Sequence, residues 1–183
     1  MTSATDILRD EHVLILQALA LLEAAADRLE AGGAVGSEWW AALMGWFQSF
    51  ADRNHHAKEE RCLFPAMVEA GVPGEGGGPI AVMLAEHADG RALVRTMAEG
   101  EPAARGPAAR GYIELLRAHI DKENGILFPL GEAVLDETSQ RVLARDFEAL
   151  ADALGREASA TYAEAVLHGL AAALEGSTRP IAL

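Results

Sequence analysis

Cysteine is almost missing from this sequence. Cys62 stands alone, which excludes an intramolecular disulfide framework and any site built from several thiolates. Basic residues are also few. Lys and Arg number 15 against 28 Asp and Glu, a formal net charge of −13, so there is no cationic footprint for a phosphate backbone or an acidic membrane surface. Charged residues interrupt every apolar stretch before it could span a bilayer, and no charged leader with an apolar run precedes the first helix-like segment. These absences predict a cytoplasmic protein with neither nucleic acid nor membrane as partner. Aromatics make up 5% of the chain and β-branched residues are sparse, whereas alanine, leucine, glutamate and arginine dominate and glycine and proline gather in short stretches. That composition predicts an all-α protein.

With 183 residues, half of them hydrophobic, the chain can bury one sizeable core. Ser3 or Thr5 can cap a first helix to about Ala31, with Leu8, Ile15, Leu16 and Leu19 on the face of His12. Ser37 caps a second helix towards Ala70, which Pro65 should bend or break near its end. A loop at 71–78 leads to a third helix from Pro79 to about Glu99, and Gly100, Pro102, Gly106 and Pro107 are expected to form the next turn. A fourth helix runs through Phe128 and is closed by Pro129 and Gly131, and a fifth helical region spans about Ser139 to Leu174, with a break at Gly155, before a short polar tail. The expected organisation is an antiparallel up-down four-helix bundle over 1–135 with an additional C-terminal helical region, 136–183, packed on the same domain.

The decisive signal is an internal repeat. HHAKEERCLFP begins at His55 and HIDKENGILFP at His119, so the same His-x-x-x-Glu and Phe-Pro recur 64 residues apart. Residues at i and i+4 lie one turn apart on a helix face, so each copy can aim an imidazole and a carboxylate at one point. A lone histidine precedes each copy in a matching dipeptide, Glu11-His12 and Glu86-His87. Counting residues from the turns places each lone histidine level with its repeat in an antiparallel hairpin, His87 and His119 each standing about twelve residues from theirs. Four histidines and two glutamates, His12, His55, Glu59, His87, His119 and Glu123, thus converge inside a bundle. Such donors suit metals that accept nitrogen and carboxylate oxygen together; two iron ions fit best, and manganese or a mixed pair suits the same donors.

These motifs resemble the hemerythrin-like, or HHE cation-binding, family over roughly residues 5 to 135. The resemblance implies two non-haem irons bridged by Glu59 and Glu123, with an oxo or hydroxo group completing the bridge. Oxygen-carrying hemerythrins add a His-x-x-x-His pair on the third helix, where this sequence has Met83 and Arg91 around His87. The symmetric pattern is more similar to the repair-of-iron-centres proteins, whose short cysteine-bearing N-terminal segment has no counterpart in this sequence.

His56 and Glu60 share the i,i+4 spacing of His55 and Glu59, but alignment with His119 and Glu123 selects the latter pair and leaves the former beside the ligands or solvated. Tyr112, two turns before His119, is either core or a hydrogen-bond donor to the metal pocket. Cys62 is read as a buried apolar thiol on the ligand face, Glu164 and His168 as a partly exposed helix surface, and the three tryptophans as packing between helices. Two histidines per iron leave coordination positions for oxygen, peroxide or nitric oxide, which suggests an oxidoreductase acting in oxidative or nitrosative stress defence with an electron donor as partner. An oxygen- or iron-sensing protein, or an iron store or donor, are the alternatives, separated by turnover, ligand-induced helix exposure and metal release.

Overall fold

The computed structural model describes residues 3–176, so the end of the expected polar tail lies outside the described residues. Among them there is no strand. Four long helices, α1 (Ala4–Glu30), α2 (37–69), α3 (Pro79–Glu99) and α4 (102–134), form an antiparallel up-down bundle, followed by α5 (Glu137–Leu154) and α6 (Ala160–Gly176). Ser3 starts α1 with a reciprocal cap: its hydroxyl accepts from the Asp6 N–H, and the Asp6 carboxylate accepts from the Ser3 N–H. Leu8, His12, Ile15 and Leu19 are buried, but Leu16 falls at the rim of the apolar stripe and is 40% exposed. Gly36, not Ser37, occupies the N-cap of α2, and no side chain caps it.

Neither proline of the repeat ends its helix. In α2 two stretches, Phe47–His56 and Glu59–Leu63, widen into π geometry, and the Phe64 N–H bonds the Glu59 carbonyl five residues back. A π turn takes up one extra residue, so Pro65, which has no N–H to donate, opens a fresh α turn (Phe64–Glu69) instead of colliding with the turn before it. In α4 the Glu123–Leu127 π turn does the same, and beyond Pro129 and Gly131 the helix continues to Val134. The turn between α3 and α4 is also shorter than expected. Pro102 is the first residue of α4, and Gly106 and Pro107 lie inside it near the exposed end, where a missing N–H costs a single bond. The first turn of α4 therefore overhangs α3, and His119 stands further from the turn than His87.

Two glycines lie where α3 meets α4: a Cβ on Gly90 would touch the Tyr112 ring at 3.4 Å and one on Gly111 would touch Leu93 at 3.5 Å, both ordinary van der Waals contacts. The break at Gly155 is present, with φ 73° and a short 3-10 turn before α6. Trp39 Nε1 donates to the Leu170 carbonyl at 2.8 Å and Trp46 Nε1 to that of Ala163 at 3.1 Å, fastening α6 to α2. Trp40 reaches the other way, to the Met97 carbonyl of α3 at 2.8 Å. Two apolar clusters result. One gathers the tryptophans, Phe47, Phe50 and the later turns of α1; the other holds Leu8, Leu63, Met67, Phe128 and Phe147. Along each bundle helix the histidines fall between residues of these clusters, so a polar layer crosses an otherwise dry core.

Candidate metal centre

Two overlapping donor sets occupy that layer. His12, His55, Glu59 and Glu123 bring ligand atoms within 4.8 Å of one another, and so do Glu59, His87, His119 and Glu123. Glu59 and Glu123 are common to both and are fully buried. One oxygen of Glu123 lies 3.1 Å from His12 Nε2 and the other 3.0 Å from His119 Nε2, so a single carboxylate addresses both sets. Glu59 Oε2 is 3.7 Å from His55 Nε2 and 3.5 Å from His87 Nε2. The Nε2 atoms of His87 and His119 approach to 3.1 Å. Metal–imidazole bonds of about 2.0–2.1 Å put two neighbouring ligand nitrogens about 3 Å apart, the spacing seen here.

Each of these imidazoles is held from behind. His12 Nδ1 faces Asn124 Oδ1 at 3.0 Å, His55 Nδ1 faces Glu11 Oε2 at 3.0 Å, His87 Nδ1 faces Glu60 Oε1 at 2.8 Å and His119 Nδ1 faces Glu86 Oε2 at 2.9 Å. An acceptor at Nδ1 fixes the proton there and turns the Nε2 lone pair towards the centre. Lys58 and Lys122, equivalent in the repeat, pair with Glu11 and Glu86. Sequence reasoning missed Glu11, Glu86 and Asn124 as positioning residues. The signal existed in the paired Glu-His dipeptides and repeated Lys-Glu steps, but which histidine each would serve did not. Glu11→Ala is expected to weaken iron binding about 10–100-fold, measured by chelator competition. Glu11→Gln, whose amide oxygen still accepts from His55, should lose less. An unchanged affinity in the alanine variant would show that Glu11 does not position His55.

His56 is not solvated. It is 4% exposed, and its ring stacks on that of His87 with centroids 3.9 Å apart. Both His55 and His56 point inward because neighbours roughly 100° apart on a helix can straddle a centre, His55 towards α1 and His56 towards α3 and α4. Glu60 accepts from Arg91 as well as from His87. Tyr112 is buried, edge-on to Phe47 with centroids 5.0 Å apart, and burial pushes its phenol up. It forms one wall of a cavity of about 180 Å³ that also touches Asp52, His56, Gly90 and Arg91. Cys62 is not on the ligand face. It is half-buried beside Leu143 and Asp146 of α5, because the π turn at Glu59–Leu63 rotates it away from the centre. Glu164 and His168 are exposed on α6.

Burial dominates the charges. It lowers His55 to about 4, His56 well below the usual imidazole range, and His87 too, leaving these rings in the neutral form that binds metals. His119 goes the other way, because contacts with Glu123 and Glu86 outweigh burial. Burial and the adjacent Glu123 push Glu59 well above the carboxylate range, whereas the close His119 and His12 imidazoles overcome the burial of Glu123 and hold it well below.

The residues fit a metal cofactor. Both oxygens of Glu59 and of Glu123, with Nε2 of His12 and of His55, are buried without a hydrogen-bond partner, and buried polar atoms are otherwise satisfied in folded proteins. Cations would satisfy all of them together.

Comparison with known proteins agrees with this chemistry. The family described as the hemerythrin HHE cation binding domain matches residues 3–131. The iron-sulfur cluster repair protein YtfE of Musicola paradisiaca (strain Ech703) is 40% identical over 87 residues, covering 41% of this chain and 39% of that protein. The chain thus spans about two fifths of that relative's length. No solved structure matches it. With a match over well more than half its length, and His/Glu clusters able to hold metal at its core, the chain belongs to the hemerythrin HHE cation-binding domain family.

Proposed function

We propose that the centre holds two iron ions, ligated by His12, His55, His87 and His119 and bridged by Glu59 and Glu123, and reacts with oxygen, peroxide or nitric oxide in oxidative or nitrosative stress defence. The observation that supports this most directly is Glu123, whose two oxygens face imidazoles of opposite donor sets at 3.1 and 3.0 Å. A carboxylate in that position is suited to two cations, one on each oxygen. The name of the Musicola relative, iron-sulfur cluster repair protein, is consistent with iron chemistry under such stress.

Bound iron supplies the electrons for reduction of a small oxidant and a position at which that oxidant can bind. The protein's own part is to orient and to exclude water. Glu11, Glu60, Glu86 and Asn124 keep the Nε2 atoms aimed inward, while Phe64 stacks on His87 and Phe128 on His12, with centroids 6.0 and 5.4 Å apart. The cavity bordered by Gly90 and Tyr112 reaches His56, whose ring stacks on that of His87, and is the side from which a diatomic molecule or peroxide would approach. Repeated turnover needs an external electron donor.

Protein loaded anaerobically with ferrous iron and mixed with each oxidant by stopped flow tests this reading. Two irons per chain are expected, oxidised in a step that argon does not reverse and retained against a chelator. A spectrum that reverts over repeated oxygenation cycles would establish reversible carriage instead, and a single tightly held zinc would remove the di-iron reading.

A further inference from the structure

We propose that His56 is a third imidazole ligand on the metal position formed by His87 and His119, so that the two metals have unequal ligand sets. This rests on the di-iron reading above and goes beyond it, because the matched repeats alone describe a symmetric centre with two imidazoles per metal.

His56 has an unmet bonding requirement. Both ring nitrogens of His56 are buried without a hydrogen-bond partner, a costly state for a neutral imidazole that has one donor and one acceptor to satisfy. Its donor atom lies within 4.8 Å of those of His87 and His119, a three-histidine group distinct from the two described above. His56 also shares the architecture of the other four. Its Nδ1 faces a carboxylate, Asp52 Oδ1, at 3.6 Å, longer than the contacts behind the other rings but in the same sense. Arg91 locks this arrangement. Its Nε donates to Asp52 Oδ1 at 2.7 Å and its Nη2 to Glu60 Oε1 at 2.7 Å, so one guanidinium fixes the carboxylates behind both His56 and His87.

The repeat shows where the asymmetry originates. The position equivalent to His56 in the second copy is Ile120, a buried residue of the apolar cluster. Only the first copy carries a second imidazole, and its ring reaches across to the α3 and α4 side. The third-helix positions Met83 and Arg91 contribute no imidazole, but α2 supplies one to the same metal from a different direction. The His12 and His55 metal keeps two imidazoles, and the sites differ in open positions accordingly.

The test compares wild type, His56→Ala, His56→Met and His55→Ala, each loaded with iron, by metal analysis, X-ray absorption and Mössbauer spectroscopy. The wild type should hold two irons with five imidazoles between them. Both His56 variants should lose one imidazole, shift the spectrum of one iron while leaving the other unchanged, and release that iron to a chelator at least about ten times faster. Added imidazole, able to reach the space left in His56→Ala through the adjoining cavity, should restore the wild-type spectrum. The methionine variant preserves the volume, and far-ultraviolet circular dichroism of the metal-free proteins separates ligand loss from misfolding. Two irons with an unchanged imidazole count and unchanged spectra in folded His56→Met would overturn the proposal and leave the di-iron reading intact. A wild type that takes up no iron would instead defeat that reading, and the proposal with it.

Discussion

Glu59→Ala is expected to leave the protein folded but with less than about a tenth of its iron, its metal affinity falling by more than the 10–100-fold typical of residues behind the ligands. Glu59 is fully buried, and its Oε2 lies between His55 of one donor set and His87 of the other. On the proposed di-iron reading, removing it would take a ligand atom from both metals at once and leave the two cations with one bridging carboxylate. The metal-free protein should respond in the opposite sense. Burial and the adjacent Glu123 already disfavour ionisation of Glu59, so its free state carries a cost that alanine removes. The expected result is a thermal midpoint of the metal-free variant equal to or above that of the metal-free wild type, measured by calorimetry beside metal analysis of both. Retention of two irons by Glu59→Ala would show that Glu59 is not a bridge. A collapse of the metal-free fold would show that the carboxylate supports the bundle itself.

Phe128→Ala should produce the largest loss of stability. Phe128 is fully buried, stacks on His12 with an interplanar angle of 10°, and has the Arg9 guanidinium 5.5 Å from its ring centroid. It also stands where the Glu123–Leu127 π turn returns to α geometry before Pro129. Truncating a buried phenylalanine costs about 3–5 kcal/mol in transfer free energy and residual cavity. For a chain of this size that corresponds to a fall in Tm of roughly 10 °C. The control is Ile126→Ala, two residues away and 62% exposed, which should be near neutral because it buries little. Iron content of Phe128→Ala should fall as well, since His12 loses the ring that keeps its imidazole upright. A loss under about 1 kcal/mol would mean that the helix end relaxes to fill the space, which the fixed Pro129 ring is expected to prevent.

Both results depend on features that were unequally visible in the sequence. Helix content, the turn at Gly71–Gly78 and the break at Gly155 could be read from composition and from glycine and proline. The convergence of the His-x-x-x-Glu repeats with His12 and His87 followed from i,i+4 spacing and antiparallel depth, and the structure brings all six residues into one layer. The effect of the prolines could not be read. Pro65 looks like a bend or break and Pro129 like a stop because their rings forbid the next α turn, but a preceding π turn, which no residue type announces, absorbs the conflict and carries Phe64 and Phe128 onto the histidines.

The sequence by itself determined which side chains could reach a common layer, since helical period is a local property that spacing encodes. Only the tertiary structure decided which neighbours they meet there. Sequence order associates the first repeat with His12 and the second with His87. In the bundle the support behind these two histidines is exchanged: Glu60 and Phe64 of the first copy hold His87, and Asn124 and Phe128 of the second hold His12. The same is true of His56, which spacing leaves beside the site and the approach of α3 and α4 turns into part of it. A helix fixes the angle at which a side chain leaves its axis, but what lies at the end of that side chain is set by how other helices, distant in sequence, pack against it.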